Sequence, residues 1–423
     1  REPVASAHFP PLYPLWLAIF GTWRWANLLL YLATAVVAAV LLERVASTDN
    51  RTLRRWAILF CGLPLLLHPS LLSSMTAVAS ESLFLPLMLG ALATATSGKV
   101  LATILLTSAA LLTRHVGIVL LLLPAWAVWA DSRGGQRTSL RRLLHAGLTT
   151  VAGALPYLGW RCWTWLDDGV HDRVLRWHPP TSYDWLDTLA TFAHWVIPLE
   201  WPTVLAASIG LLVAAGTLWC LRRMPLLLTI FVSYIAAVLV ARTWFDATIP
   251  MGGRIWTPLL PIAWLALLGA LRLHDPIGSR RRSFLAVIVA AWSCVILFLG
   301  YLTIGDRFEH GTGYNTPTWR SSQTLAFASN LDQKEPVVSN AADVIHVLLR
   351  RPASFPPMSH FPTADRPNTR RFDQIRELQG DPITFVFFTT VDRDYFVSAD
   401  DVRRLLDVEE VARFDDGFAL RSR

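Results

Sequence analysis

The sequence predicts an all-α polytopic membrane bundle followed by a small extracytoplasmic α/β domain. Three observations predict it. About ten apolar segments, each roughly 16–22 residues of Leu, Ala, Val, Ile and Trp, follow one another from Trp25 to about residue 304, the length that crosses a ~30 Å hydrocarbon core. Arginine sits in every second gap: Arg44, Arg51, Arg54 and Arg55, then Arg133, Arg137, Arg141 and Arg142, then Arg222 and Arg223, then Arg272 and Arg280 to Arg282. Composition changes near residue 305, and 305–423 is polar and charged without a further run of spanning length.

The positive-inside rule places the arginine-rich gaps in the cytoplasm. The other gaps, richer in Trp, His, Asp and Pro, then face outward, and chemistry is expected on that side. A chain that is 53% hydrophobic and 16% charged, with a mean hydropathy of +0.41, is a membrane protein by composition. The net charge of +7 is accounted for by cytoplasmic loops, so no nucleic-acid partner is expected. Lys99 and Lys334 are the only lysines, a bias that points to a GC-rich bacterial genome and hence to a bacterial plasma (inner) membrane. The four cysteines, Cys61, Cys162, Cys220 and Cys294, lack CxxC spacing and read as small buried hydrophobes. A chain that opens Arg1-Glu2-Pro3, with no initiator Met, reads as a piece of a longer protein.

Residues 1–24 are Pro-rich and aromatic, with an apolar stretch at 12–20 too short to span. They are expected to form an outer-face loop carrying a surface-lying helix. The multi-pass domain, 25–304, has spans at about 25–43, 56–72, 80–96, 100–113, 115–130, 143–164, 202–220, 225–241, 254–271 and 283–304. Residues 100–130 read either as one long helix or as a tight hairpin around Arg114. Pro64 and Pro86 interrupt two spans, which neighbouring helices tolerate. The larger outer loop, 165–201, mixes tryptophans with Asp167, Asp168, Asp172, Asp184, Asp187, His171, His178 and His194.

In the tail, 318–331, 341–350 and 399–407 are expected to be helical. Residues 336–338 and 383–388 read as strands, and 409–421 as a hairpin around Asp415-Asp416-Gly417. The tail has no Gly-rich phosphate loop and no metal-ligand spacing, so docking or lid work is expected of it rather than catalysis.

Four constellations can carry chemistry. In His8-Phe9-Pro10-Pro11-Leu12-Tyr13-Pro14-Leu15 the prolines stiffen the backbone, so the run is either a rigid interfacial connector or a wall that presents His8 and Tyr13 to an outer cavity. Glu81, in Ser80-Glu81-Ser82, opens a span where the helix dipole favours an anion. Ser80 suits plain N-capping, while a carboxylate at the membrane boundary argues for function. Arg114 and His115 interrupt apolar sequence at the outer end of two spans, and Arg254 repeats the situation in Gly253-Arg254-Ile255-Trp256-Thr257-Pro258, with Asp246 as its expected partner. Each arginine reads as a snorkelling anchor or as a phosphate contact.

Taken in order, the outer-loop Pro10-Pro11-Leu12-Tyr13-Pro14-Leu15, Ser80-Glu81 before a span, Thr113-Arg114 with Gly117, and Arg254 before Pro258-Leu259-Leu260-Pro261 resemble the GT-C superfamily of membrane glycosyltransferases. The likeness is to bacterial protein-mannosyltransferase and aminoarabinose-transferase members. It covers most of residues 8–270, and their order and sidedness carry most of its weight. Thr318-Trp319-Arg320-Ser321-Ser322, Val338-Ser339-Asn340 and Arg350-Arg351-Pro352-Ala353 also look like the tails of long bacterial members.

The resemblance implies transfer of a sugar from a polyprenyl-phosphate donor to a lipid, glycan or protein acceptor on the outer face. It assigns Glu81 a catalytic role, Arg114 and Arg254 the donor phosphate, and His8, Tyr13, His115 and Asp246 a place along the substrate cavity. It leaves a divalent metal ion open as a cofactor, since some members use one and others none. Asp167, Asp168 and Asp172 suit such an ion, or simply form a solvated acidic loop. The family's key acid precedes the Pro-Pro segment, so its counterpart is expected upstream of this sequence. A transporter or flippase is the rival reading. It predicts ionisable residues near the midplane and repeated broken helices, whereas these polar residues cluster at outer ends and no internal repeat is visible.

Overall fold

The computed structural model describes residues 10–20, 23–45, 62–77, 79–131, 139–168, 175–273, 279–361, 366–378 and 382–422. The chain divides into two compact units. The first takes in 1–171, 179–243 and 249–305, and the second 172–178, 244–248 and 306–423.

The first unit is helical. Its elements are α1 (Leu12–Phe20), α2 (Trp23–Val45), α3 (Pro69–Thr76), α4 (Glu81–Thr96), α5 (Val100–Leu111), α6 (Leu122–Asp131), α7 (Ser139–Asp168), α8 (Ser182–His194), α9 (Thr203–Leu221), α10 (Pro225–Trp244), α11 (Leu260–Leu273) and α12 (Ser279–His310). Turns of 3-10 helix, His115–Leu121 and Gly253–Leu259, lead into α6 and α11. The ten expected spans are largely helical where they are described, but 56–72 breaks at Leu67 and His68 before α3, and the helix of 100–113 stops at Leu111. Among the described residues four helices are long and apolar enough to cross a membrane, and a fifth span counts if α3 and α4, bent by 116°, act as one. Three further apolar helical segments, Val100–Leu111, His115–Asp131 and Gly253–Gly269, are shorter: the 12 residues of α5 rise about 18 Å.

The core is built around α4, whose Phe84, Leu85, Met88, Leu89, Ala91 and Leu92 are all buried. Pro86 lies inside α4 without ending it. Leu41 and Leu42 of α2, Ile230 and Phe231 of α10 and Ile262 and Leu265 of α11 close around it. Outward-facing Leu32, Val36, Leu148, Leu155, Leu212 and Phe298 are exposed, as expected of helix faces whose solvent is lipid. Cys162 and Cys294 are on exposed helix faces as well, contrary to the expected burial, because their helices turn these positions away from the core; Cys220 is half-buried.

Residues 100–130 form the hairpin and not the single helix. At one end a Cβ on Gly117 would lie 2.8 Å from the backbone of Leu111. At the other, Gly98, with φ +68, packs against the backbone of Asp131. Arg44, in the last turn of α2, donates to Ala93 O and Ser97 Oγ, and at 3.3 Å to Thr96 Oγ1. The C-terminal ends of α2, α4 and α6 are thereby gathered at one end of the bundle, and the start of α4 and the Arg114 turn at the other.

The second unit carries α13 (Pro317–Arg320), α14 (Gln323–Asn330), β1 (Val337–Ser339), α15 (Ala342–Leu349), β2 (His360–Phe361), β3 (Arg366–Pro367), α16 (Arg371–Arg376), β4 (Thr384–Phe388), α17 (Ala399–Leu405), β5 (Val408–Phe414) and β6 (Gly417–Ser422). Its four-stranded sheet runs β1-β4-β6-β5, with β1 parallel to β4 and the other pairs antiparallel. Every residue of β4 is buried, and alternation sends Phe385 and Phe387 to one core, Val386 and Phe388 to another. The helix expected over 318–331 is broken at Ser321-Ser322, because Ser322 Oγ accepts from Leu325 N (3.0 Å) and starts a new helix. The expected hairpin forms: Asp416 ends its turn and accepts from Thr324 N and Oγ1 at 3.1 and 2.7 Å.

Candidate active site

Glu81 opens α4 at the corner with α3, and only 7% of its side chain is exposed. Two arginines from distant segments address the same oxygen. Arg114 Nη1 lies 2.6 Å from Glu81 Oε1, with its side chain 15% exposed, and Arg254 Nε lies 3.7 Å away on a side chain that is 61% exposed. Ser80 does not cap the helix as expected. Its backbone is already helical (φ −62, ψ −18) and its side chain makes no capping bond, so helix capping by Ser80 leaves the carboxylate's position unexplained. The two arginines explain it.

Each partner is placed by its own scaffold. Arg114 follows the end of α5, where Leu112 O accepts from Leu12 N (3.0 Å) and Arg114 N donates to Ala110 O (3.0 Å). The Gly253–Leu259 turn that carries Arg254 is pinned from several sides. Gly253 N donates to Thr191 Oγ1 (2.7 Å), Thr188 Oγ1 and Trp256 Nε1 both donate to Met251 O (2.5 and 2.6 Å), and Tyr234 OH donates to Ile255 O (2.8 Å). Gly253 has φ +62, a conformation that favours glycine. Below the carboxylate, Ser82 Oγ donates to Ser74 O (3.0 Å), and Ser74 Oγ donates to Thr257 Oγ1 (3.2 Å), joining α4, α3 and the turn.

Tyr13 on α1 is buried, and its hydroxyl donates to Asn27 Oδ1 (3.3 Å) while Asn27 Nδ2 donates to Ala77 O (2.8 Å). Burial pushes the Tyr13 phenol up to about 12, with the Glu81 charge adding in the same direction. The N-terminal wall therefore lies against the Glu81 corner. His115 Nδ1 is 2.7 Å from Tyr157 OH, and its ring stacks on Trp160. These two aromatic residues project from α7, next in sequence to the Arg114 turn's own hairpin.

Of the other sequence-predicted residues, His8 lies outside the described residues. Asp246 falls in the second unit, where its Oδ1 accepts from Thr248 N (2.9 Å) and Oγ1 (2.5 Å); within the first unit Arg254 faces the Glu81 carboxylate. The side chains of Asp167, Asp168 and Asp172 also lie outside those described, and the described residues hold no group of three or more metal-ligating side chains. Sequence reasoning missed Asn27, Tyr157 and Tyr234. A polar residue inside an apolar span is itself a signal, and Asn27 and Tyr157 carried it.

No known protein-family profile matches the sequence. Among curated proteins, the chloroplastic NAD(P)H-quinone oxidoreductase subunit 5 of Flaveria ramosissima is 27% identical over 147 residues, 34% of this chain and 19% of that protein. That of Helianthus annuus is 29% identical over 150 residues, again 34% and 19%. The chain thus spans about a fifth of the length of these relatives. Among solved structures, ArnT from Cupriavidus metallidurans in the apo state matches with a TM-score of 0.55 at 16% identity, over 98% of this chain and 87% of that one. At this identity the likeness is one of fold, and it extends over both units.

Proposed function

We propose that this chain, which has the GT-C fold seen in ArnT, is a membrane glycosyltransferase that moves a sugar from a polyprenyl-phosphate donor to an acceptor on the outer face of the membrane. The observation that carries the proposal is the buried Glu81 carboxylate shared by two arginines of unequal exposure.

The geometry divides the labour. Both arginine contacts fall on Oε1, which leaves Oε2 to accept the proton of an acceptor hydroxyl. The deprotonated oxygen attacks the anomeric carbon, the carbon–oxygen bond to phosphate breaks, and the electron pair leaves on polyprenyl phosphate. Charge therefore grows on the departing phosphate. Arg254, long, solvent-facing and fork-shaped, is suited to meet it. Arg114 is nearly enclosed and serves to hold Glu81 in place. Tyr13 closes the cavity wall beside the carboxylate, and His115 with Tyr157 and Trp160 offers an aromatic flank for a sugar or lipid substrate.

The test is sugar transfer from radiolabelled polyprenyl-phosphate sugars in membranes containing the protein, with Glu81→Gln assayed in parallel. Transfer abolished by the substitution supports both the class and the role of Glu81. Transfer that survives it keeps the class and reduces Glu81 to an anchor for the arginines. No transfer from any donor, by a protein that is folded and inserted, overturns the proposal.

A further inference from the structure

An open slot of about 540 Å³ lies among α6, the start of α7 and the start of α10, within the range of ligand cavities. Its lining is apolar, Ala125, Trp126, Trp129 and Leu226 among it, apart from Thr229 and Arg142. Trp129 is half exposed and Leu226 buried, so the slot leads from the bundle surface to its core. Apolar walls of this kind gain little from water and much from a hydrocarbon chain.

The slot is at the arginine-rich end of the bundle. α6 ends and α7 begins on either side of the 131–142 gap, and α10 begins just after Arg222 and Arg223. By the positive-inside rule this end faces the cytoplasm. Arg141 stands beside Arg142, and Arg222 and Arg223 are exposed just ahead of Leu226. A cationic rim over an apolar slot lined by tryptophans complements a molecule with a phosphate at one end and an acyl chain at the other. A forked guanidinium matches phosphate oxygens two at a time.

We propose that this slot binds an anionic glycerophospholipid of the cytoplasmic leaflet, one acyl chain between Trp126, Trp129 and Leu226 and the phosphate on Arg142. The site belongs to the opposite end of the bundle from Glu81 and does not depend on the transferase reading.

The experiment is native mass spectrometry of the full chain in mild detergent, supplied with equal phosphatidylglycerol and phosphatidylethanolamine of identical acyl chains. The wild type is expected to retain phosphatidylglycerol about fivefold better, the effect of one arginine at a headgroup. Arg142→Gln removes the preference while retaining similar total lipid. Ala125→Phe fills the slot and loses the retained lipid, with size-exclusion profiles confirming that both variants are intact. Equal retention of the two lipids by the wild type overturns the proposal even if no variant can be purified. So does an unchanged preference in Arg142→Gln.

Discussion

Arg114 and Glu81 form an ion pair of 2.6 Å in which 15% and 7% of the two side chains meet solvent. Breaking such a pair from one side strands a charge in a poorly solvated place, at a cost of about 3–5 kcal/mol. Glu81→Gln is therefore expected to lower stability as well as transfer. Changing both members, Glu81→Gln with Arg114→Met, removes the stranded charge and restores most of the stability. Transfer stays lost if Glu81 is the base. Thermal unfolding in detergent and the radiolabelled transfer assay, applied to the two singles and the double, separate the structural role from the chemical one. Transfer that recovers together with stability would mean that Glu81 is structural.

Arg254 makes the opposite case. Its contact with Glu81 is long at 3.7 Å and its side chain is 61% exposed, the regime in which a pair contributes about 0–1 kcal/mol. Arg254→Ala should leave the unfolding temperature nearly unchanged. Removing a donor from a developing phosphate charge costs roughly 10²–10³ in turnover, and a loss of that size is expected here. Arg254→Lys recovers the charge without the fork, so partial recovery is the expected result. A variant with wild-type turnover would show that the phosphate is met elsewhere.

Two glycines hold the arginine-bearing turns, and they differ in what opposes a side chain. At Gly117 a Cβ would press on the backbone of Leu111 at 2.8 Å, whereas at Gly252 it would meet the Asp187 carboxylate at 1.9 Å. Backbone cannot step aside; a carboxylate can be removed. Gly117→Ala should therefore displace the Arg114 turn irretrievably, with transfer falling and no second-site cure at Leu111. Gly252→Ala should be rescued by Asp187→Ala. Transfer rates of the three variants check this, and a failure of the rescue would place the strain at Gly252 in the backbone.

The helices of the first unit were legible because apolar runs of fixed length carry the signal locally. α8 was not, since its tryptophans and aspartates read as a polar outer loop. Its start was nevertheless written in the sequence: Thr181 and Asp184 form a capping box, with Asp184 N donating to Thr181 Oγ1 at 3.2 Å. The two-residue strands β2 and β3 are too short for any periodicity to show. Glu81, Arg114 and Arg254 stood out singly as polar groups at span ends. Their convergence on one oxygen is a tertiary fact, invisible along a chain in which Glu81 and Arg254 are so far apart. Ser80 misled because its residue type suits a cap, while the backbone conformation that decides capping depends on the corner between α3 and α4.

In the second unit Asp343 joins Arg393 and Tyr314, and its carboxyl and the Tyr314 phenol titrate at opposite ends of the pH scale. Arg393 Nη1 and Nη2 donate to its Oδ1 and Oδ2 at 2.9 and 2.8 Å, and Tyr314 OH donates to Oδ2 at 2.9 Å. Burial alone would raise the Asp343 carboxyl, but the hydrogen bonds from Arg393 and Tyr314 outweigh it and hold the carboxyl below its ordinary range. A depressed carboxylate stabilises the fold above its unfolded pKa, near 3.9, and that contribution disappears as pH falls through the folded value. Burial, reinforced by Asp343, raises the Tyr314 phenol to about 12. A raised phenol stabilises the fold fully below its unfolded value of about 10 and loses that contribution as pH climbs towards about 12. Near-UV circular dichroism of the full chain against pH is expected to show both losses. Tyr314→Phe should flatten the alkaline one and leave most of the acid one. Asp343→Asn should remove the acid loss and cost about 2 kcal/mol at neutral pH, the worth of a charge-assisted hydrogen bond. If Tyr314→Phe leaves the alkaline limb unchanged, the limb belongs to another tyrosine and the network does not set the unit's stability.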